Sequence, residues 1–231
     1  MEQLIFKNLC KTYPNGFVSV KDVNLTINEK EFITFHGPSG CGKSTILRMI
    51  AGLETITSGE IWLEDELLSS LDPPHRPIAM AFQNYRLYGH LNVFENIALG
   101  LQLRNLPRTE IESRMKEIIN FWNNANVPEN HSIESMKFLL SKVIKELTAG
   151  EKQQVALSRA IICHPQILLV DESFAKQEDA LREQMLIDIQ RINQELGITV
   201  LYVTNNYDEA RSMGDRMVLM KEGQITDVVS H

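Results

Sequence analysis

The residues best suited to chemistry lie in one run, Gly37-Pro38-Ser39-Gly40-Cys41-Gly42-Lys43-Ser44-Thr45. The run fits G-x-x-x-x-G-K-[ST] and falls between a predicted strand and a predicted helix, the context that pattern requires. Its glycines let the main chain wrap closely around phosphate groups. The N–H groups of the loop and of the helix start form an anion site. In such a loop Lys43 reaches the β- and γ-phosphates of a nucleotide, and Ser44 holds Mg2+. Cys41 reads as a spacer whose side chain points away.

A second constellation is Asp171-Glu172, at the end of the apolar run "ILLV". A strand buried on both faces reads as such a run, and ligands of open α/β sheets sit beyond the carboxyl ends of strands. Asp171 is the natural Mg2+ partner, directly or through water. Glu172 is the natural general base for an attacking water. An acidic strand end alone is common on solvated surfaces; the phosphate loop upstream gives this pair its meaning.

These groups need elements to carry them. Strands and helices alternate, which predicts an α/β fold. Residues 3–13 and 23–37 read as strands, the second delivering the chain to Gly37. A helix follows from about Lys43 to Leu53. Residues 59–68 read as one strand, and 76–83 as a short apolar run that stops at Gln83. From about His90 to Ile162 the pattern turns mostly helical. Ile111, Met115, Ile118, Ile119 and Trp122 fall on one stripe there, and Thr109 with Glu112 makes a capping-box pattern. A helix over 151–163 is stopped by His164-Pro165. A strand at 166–170, a helix from about Asp179 to Leu196 and a strand at 198–204 follow. The last two strands turn at Lys221-Glu222-Gly223. The helical block, about 90–162, reads as an insertion into one nucleotide-binding core.

Composition narrows the function. At 231 residues the chain suits one large domain. Its 43% apolar content is enough for a packed core, which argues against disorder. With 23 basic against 30 acidic residues the net charge is −7, and no cluster of five basic residues occurs. That excludes nucleic acid as a non-specific partner. Three cysteines, an odd number without metal-type spacing, argue against a disulfide framework or zinc and for a reducing compartment. The N-terminus lacks a signal-peptide pattern. No apolar stretch approaches the ~20 residues that span a bilayer. Any membrane role is therefore expected to be peripheral, through a partner.

The phosphate loop, Gln83, the helical block and the strand ending in Asp171-Glu172 come in an order that resembles the ATP-binding subunits of ABC transporters. The resemblance covers essentially the whole chain and is strongest to the ATPases of maltose-type sugar importers. It rests on "AFQNYRLYGHLNVFENIALGL" (81–101), "LREQM" (181–185) and "MVLMKEGQI" (217–225). It implies a P-loop NTPase core of the ABC ATPase type with a helical insertion and an antiparallel β subdomain. It implies ATP and Mg2+ as ligands, hydrolysis at Glu172, and residence at the cytoplasmic side of the membrane. Tyr13 would stack on the adenine. Gln83 would touch Mg2+ and the attacking water, and Asn84 to Leu101 would face a transmembrane permease. Two such subunits would stand face to face, as a homo- or heterodimer. Each ATP would lie between one phosphate loop and the other subunit's signature segment, here Thr148 and Gly150. That subgroup usually carries a further C-terminal regulatory domain, which, with the chain ending at His231, is expected to be absent or removed.

Three motifs depart from the family pattern. Where L-S-G-G-Q is usual, the chain has Leu147-Thr148-Ala149-Gly150-Glu151. Thr148 keeps a hydroxyl, but Glu151 puts a carboxylate where a triphosphate would approach. Where P-F-S-N-L-D is usual, the chain has Ser173 to Glu178. Where a histidine contacts the γ-phosphate, the chain has Asn205, which can hydrogen-bond but cannot carry charge.

Overall fold

The computed structural model describes residues 1–81, 87–123, 139–171 and 179–230. The chain divides into two compact units, residues 1–83 with 166–231, and residues 84–165.

The first unit contains two sheets. One has four strands, β1 (Glu2–Thr12), β2 (Val18–Asn28), β4 (Ser58–Leu63) and β5 (Glu66–Leu67), in the order β2-β1-β4-β5, all antiparallel. The other has β3 (Phe32–His36), β6 (Ile78–Ala81), β7 (Ile167–Val170), β8 (Thr199–Thr204), β9 (Arg216–Lys221) and β10 (Gln224–Ser230). Its order is β10-β9-β3-β8-β7-β6, parallel except for β10. Strands β7 and β8 are buried at every residue, so they read as near-continuous apolar runs rather than as alternation. Helix α1 (Lys43–Ile50) carries Ile46, Leu47 and Ile50 into a core shared with Leu4, Phe6, Ile27, Ile33 and Phe35. Each of these fully buried side chains contributes about 1.5–3 kcal/mol.

Several boundaries differ from the sequence reading. The stretch 23–37 is two strands in different sheets, because Asn28 to Glu31 forms a turn with Lys30 at φ +62°. Apolar residues on both sides of that turn hide it. Glu31 then pairs with Arg216, its Oε2 2.9 Å from Nη2, and takes the Asn28 N–H. The stretch 59–68 is also divided, into β4 and β5, by a turn with Glu64 at φ +53°. Helix α1 stops at Ile50 because Leu53 N–H bonds back to Arg48 and Gly52 N–H to Met49, a Schellman-type end. Arg76 closes the same helix end through the carbonyls of Met49 and Ile50.

The second unit contains α2 (Val93–Leu103), α3 (Arg108–Asn123) and α4 (Ala149–Ile161). Ile111, Met115, Ile118, Phe121 and Trp122 are buried on α3, whereas Ile119 is only half-buried. Trp122 Nε1 donates to Ser158 Oγ of α4 at 2.8 Å. Thr109 lies inside α3, and Glu112 takes the Arg108 guanidinium instead of closing a capping box. Capping boxes occur at Asn92 with Glu95 and at Thr148 with Glu151.

The first unit also carries α5 (Asp179–Leu196) and α6 (Tyr207–Met213). Helix α6 is too short to show a period, but its signal is Asn206, whose side chain accepts from the N–H groups of Asp208 and Glu209. Among the described residues no helix is long and apolar enough to cross a membrane.

Candidate nucleotide site

The phosphate loop leaves β3 after His36 and turns into α1. Two of its glycines are required by close backbone approach. A Cβ on Gly37 would lie 2.2 Å from the Met220 carbonyl oxygen, and one on Gly42, at φ +109°, 2.3 Å from that of Ser19. Pro38, Ser39 and Gly40 form an exposed tip. Cys41 is buried in the core, and its carbonyl accepts from Gly223 N–H at 3.0 Å. That bond ties the loop to the β9–β10 turn.

Lys43 is almost fully buried. Its ammonium donates to the carbonyls of Gly37 at 2.6 Å and Pro38 at 3.0 Å, and to Asn205 Oδ1 at 2.9 Å. A cation removed from water needs such partners, and phosphate oxygens can take the same donors. Ser44 Oγ donates to Asp171 Oδ1 at 2.6 Å. Thr45 Oγ1 lies 2.8 Å from Ser19 Oγ, which fixes the start of α1 to β2. The carboxyl ends of β3, β7 and β8 therefore bring Lys43, Ser44, Asp171 and Asn205 together. Ser44 and Asp171 offer hard oxygens suited to Mg2+, which is held by few protein ligands and by substrate phosphates. Gln83 and Glu172 lie outside the described residues.

Tyr13 follows β1 and is half-buried. Its ring stacks on Phe17 at 6.4 Å and 22°, and the Lys11 ammonium lies 5.1 Å from its centroid. Phe17 is 53% exposed. The sequence reading did not single out Phe17, which lies two residues before Ser19. A neighbouring aromatic four residues from Tyr13 was the available signal.

In the second unit, Thr148 Oγ1 accepts from Glu151 N–H at 3.2 Å, and Glu151 Oε2 accepts from Thr148 N–H at 2.7 Å. Lys142 lies 3.4 Å from Glu151. Burial opposes ionisation of Glu151, but the Thr148 amide and hydroxyl and the Lys142 charge outweigh it and hold the carboxyl below its usual range. Gly150 sits in the first turn of α4. In the segment from Asn84 to Leu101, residues 84–86 lie outside the described set. Val93, Ile97, Ala98 and Leu101 are buried, and Tyr88, Gly89 and His90 are exposed. Asn96, fully buried, holds that exposed turn by bonding the N–H and C=O of Tyr88.

This phosphate loop, set at the end of a parallel sheet beside an antiparallel one, defines a nucleotide-binding cassette. Residues 20–175, more than half the chain, match the ABC transporter family model, and the chain belongs to that family. It is 41% identical over 223 residues to the sn-glycerol-3-phosphate import ATP-binding protein UgpC of Bordetella avium, covering 96% of this chain and 58% of that protein. The UgpC of Vibrio cholerae is 43% identical over 225 residues, covering 97% and 57%. The chain thus spans less than two thirds of the length of these relatives. Among solved structures, the ATP-binding cassette MJ0796, in a dimeric post-hydrolysis state bound to ADP and Pi, is 29% identical with a TM-score of 0.77, covering 98% of each chain. CbiO1 from Clostridium perfringens has the same fold, with a TM-score of 0.83 at 22% identity, covering 100% of this chain and 89% of that one.

Proposed function

We propose that this chain is the ATP-binding subunit of an ABC importer. It binds and hydrolyses Mg-ATP and couples dimer closure to transport through membrane permease subunits, as a peripheral protein on the cytoplasmic side. The observation that carries this reading is the constellation of Lys43 in the loop carbonyls with Ser44 on Asp171.

The loop N–H groups and Lys43 bind the phosphates, and the Tyr13–Phe17 pair receives the base. Ser44 and Asp171, with Gln83, would hold Mg2+, and the ion would supply positive charge against the negative charge of the phosphates. Glu172 accepts the proton of the attacking water. Asn205 holds Lys43 at the γ-phosphate end. The exposed Tyr88-Gly89-His90 turn is the part of 84–101 offered to the permease. The block from about 90 to 162, which falls within the unit 84–165, is read as the helical insertion of a single nucleotide-binding domain. The import of a phosphorylated polyol by the UgpC relatives makes a small polar solute the favoured cargo class. Phosphate release from Mg-ATP by the purified chain, alone and with its permease, tests the reading. Steady turnover abolished by vanadate is expected, and a preparation with neither turnover nor ATP binding would refute it.

A second reading, a subunit that gates on nucleotide but hydrolyses slowly beside a more active partner, is favoured by Glu151. Its carboxylate occupies the helix start where the opposite subunit's phosphates would dock. Glutamine closes the same capping box without the charge, and the half-buried Lys142 pair is worth at most about 1 kcal/mol. Glu151→Gln is therefore expected to leave the thermal midpoint nearly unchanged while raising turnover at saturating Mg-ATP several-fold. Equal turnover would set this second reading aside.

A further inference from the structure

His36, the last residue of β3, stands at the nucleotide site with no role in the reading above. In the parallel pairing of β3 with β8 it lies opposite Thr204. The next residue, Asn205, is the one that holds the Lys43 ammonium. Thr34, on the same face of β3, bonds the Ala210 carbonyl, so that face looks toward α6. The His36 ring accordingly meets Tyr207 edge-on, with centroids 5.5 Å apart at 79°. Its Nδ1 is buried and has no hydrogen-bond partner among the described residues.

Around this ring, the loop and α1 contribute Lys43. Helix α6 contributes the Tyr207 phenol; Asp208 and Arg211 on α6 are exposed, and Glu209 is engaged by Arg182, Tyr202 and Thr204. Strands β8 and β9 place Thr204 and Leu219, which do not titrate, at its flanks. Burial, and then the Lys43 charge, push the imidazole below its usual range against the pull of the Thr204 backbone. Without nucleotide the field of the Lys43 ammonium thus opposes protonation of the ring. Bound phosphates bring several negative charges to the same loop and reverse that field.

We propose that His36 is a second cation of the nucleotide site, taking up a proton from solvent as phosphates bind and supplying the positive charge that Asn205 cannot carry. The proposal rests on the nucleotide reading above and adds to it a residue outside the loop motif. The sign follows from linkage. A group that is more easily protonated in the complex makes binding tighter as pH falls, by up to tenfold per pH unit between its free and bound pKa values.

ADP, without magnesium, is the probe, titrated into the wild-type chain and into His36→Gln and His36→Val at pH 8 and pH 6. The ionisation of ADP itself is common to all three proteins. Wild-type affinity is expected to rise about 3–10-fold more than that of either variant over this span. Calorimetry at pH 6.5 in buffers of different ionisation enthalpy should show correspondingly greater proton uptake by the wild type. Imidazole NMR of the wild type, needing no variant, should show the His36 titration moving to higher pH when ADP is added. ADP binding with an unmoved His36 titration, or with equal pH slopes in all three proteins, overturns this proposal alone. A wild-type chain that binds no ADP at either pH overturns it together with the nucleotide reading.

Discussion

Glu172→Gln is expected to lower ATP turnover by about 10²–10⁴ while leaving ATP affinity within a few-fold of wild type. The amide matches the carboxylate in shape but cannot accept the proton of an attacking water. The preceding residue, Asp171, is held by Ser44 at 2.6 Å at the end of a fully buried strand. The chain is therefore held at Asp171, the residue that precedes Glu172 in sequence. Loss of turnover with retained binding separates a base from a binding residue, because removing a transition-state interaction leaves ground-state affinity in place. Steady-state phosphate release and equilibrium binding on the same preparation make the measurement. Turnover equal to wild type would assign the base elsewhere.

Lys43→Ala carries the second large effect. Each charge-assisted hydrogen bond of the ammonium to phosphate oxygens is worth about 1.5–3 kcal/mol. ATP affinity is accordingly expected to fall by about 10–150-fold for one such bond. The structure adds a second consequence. The same ammonium draws the Gly37 and Pro38 carbonyls and Asn205 together, so its removal also loosens the loop from the residue after β8. Lys43→Arg keeps the charge but not the compact, three-donor ammonium, and is expected to recover only part of the affinity. Titration of both variants, with thermal unfolding as a control for folding, is the test. Wild-type affinity in Lys43→Ala would remove this loop from the binding site.

The α/β class was legible because β7 is an unbroken apolar run, β8 is apolar between its two terminal threonines, and α5 between them has a clear stop in Gly197 after Leu196 at φ +64°. What the sequence obscured was sheet membership. Residues 23–37 read as one strand, yet β2 and β3 belong to different sheets, since a polar turn with one left-handed residue leaves little trace in a hydrophobic pattern. The capping box proposed at Thr109 with Glu112 was likewise undone by Arg108, a competing partner on the same helical face.

The local chemistry of the candidate site was determined by the sequence alone. The spacing of Gly37, Gly42, Lys43 and Ser44 is a local property, because a loop that wraps phosphates needs consecutive backbone N–H groups and glycines at fixed intervals. The acidic end of "ILLV" is local in the same way. Only the tertiary structure decided which distant groups meet that loop. Asn205, 162 residues from Lys43, accepts from its ammonium. Asp171, 127 residues from Ser44, accepts from its hydroxyl. His36 comes beside Asn205 because β3 and β8, separated by most of the chain, pair in parallel. Such contacts depend on strand order and register, which are set by how whole faces pack against one another, and no short window of sequence contains that information.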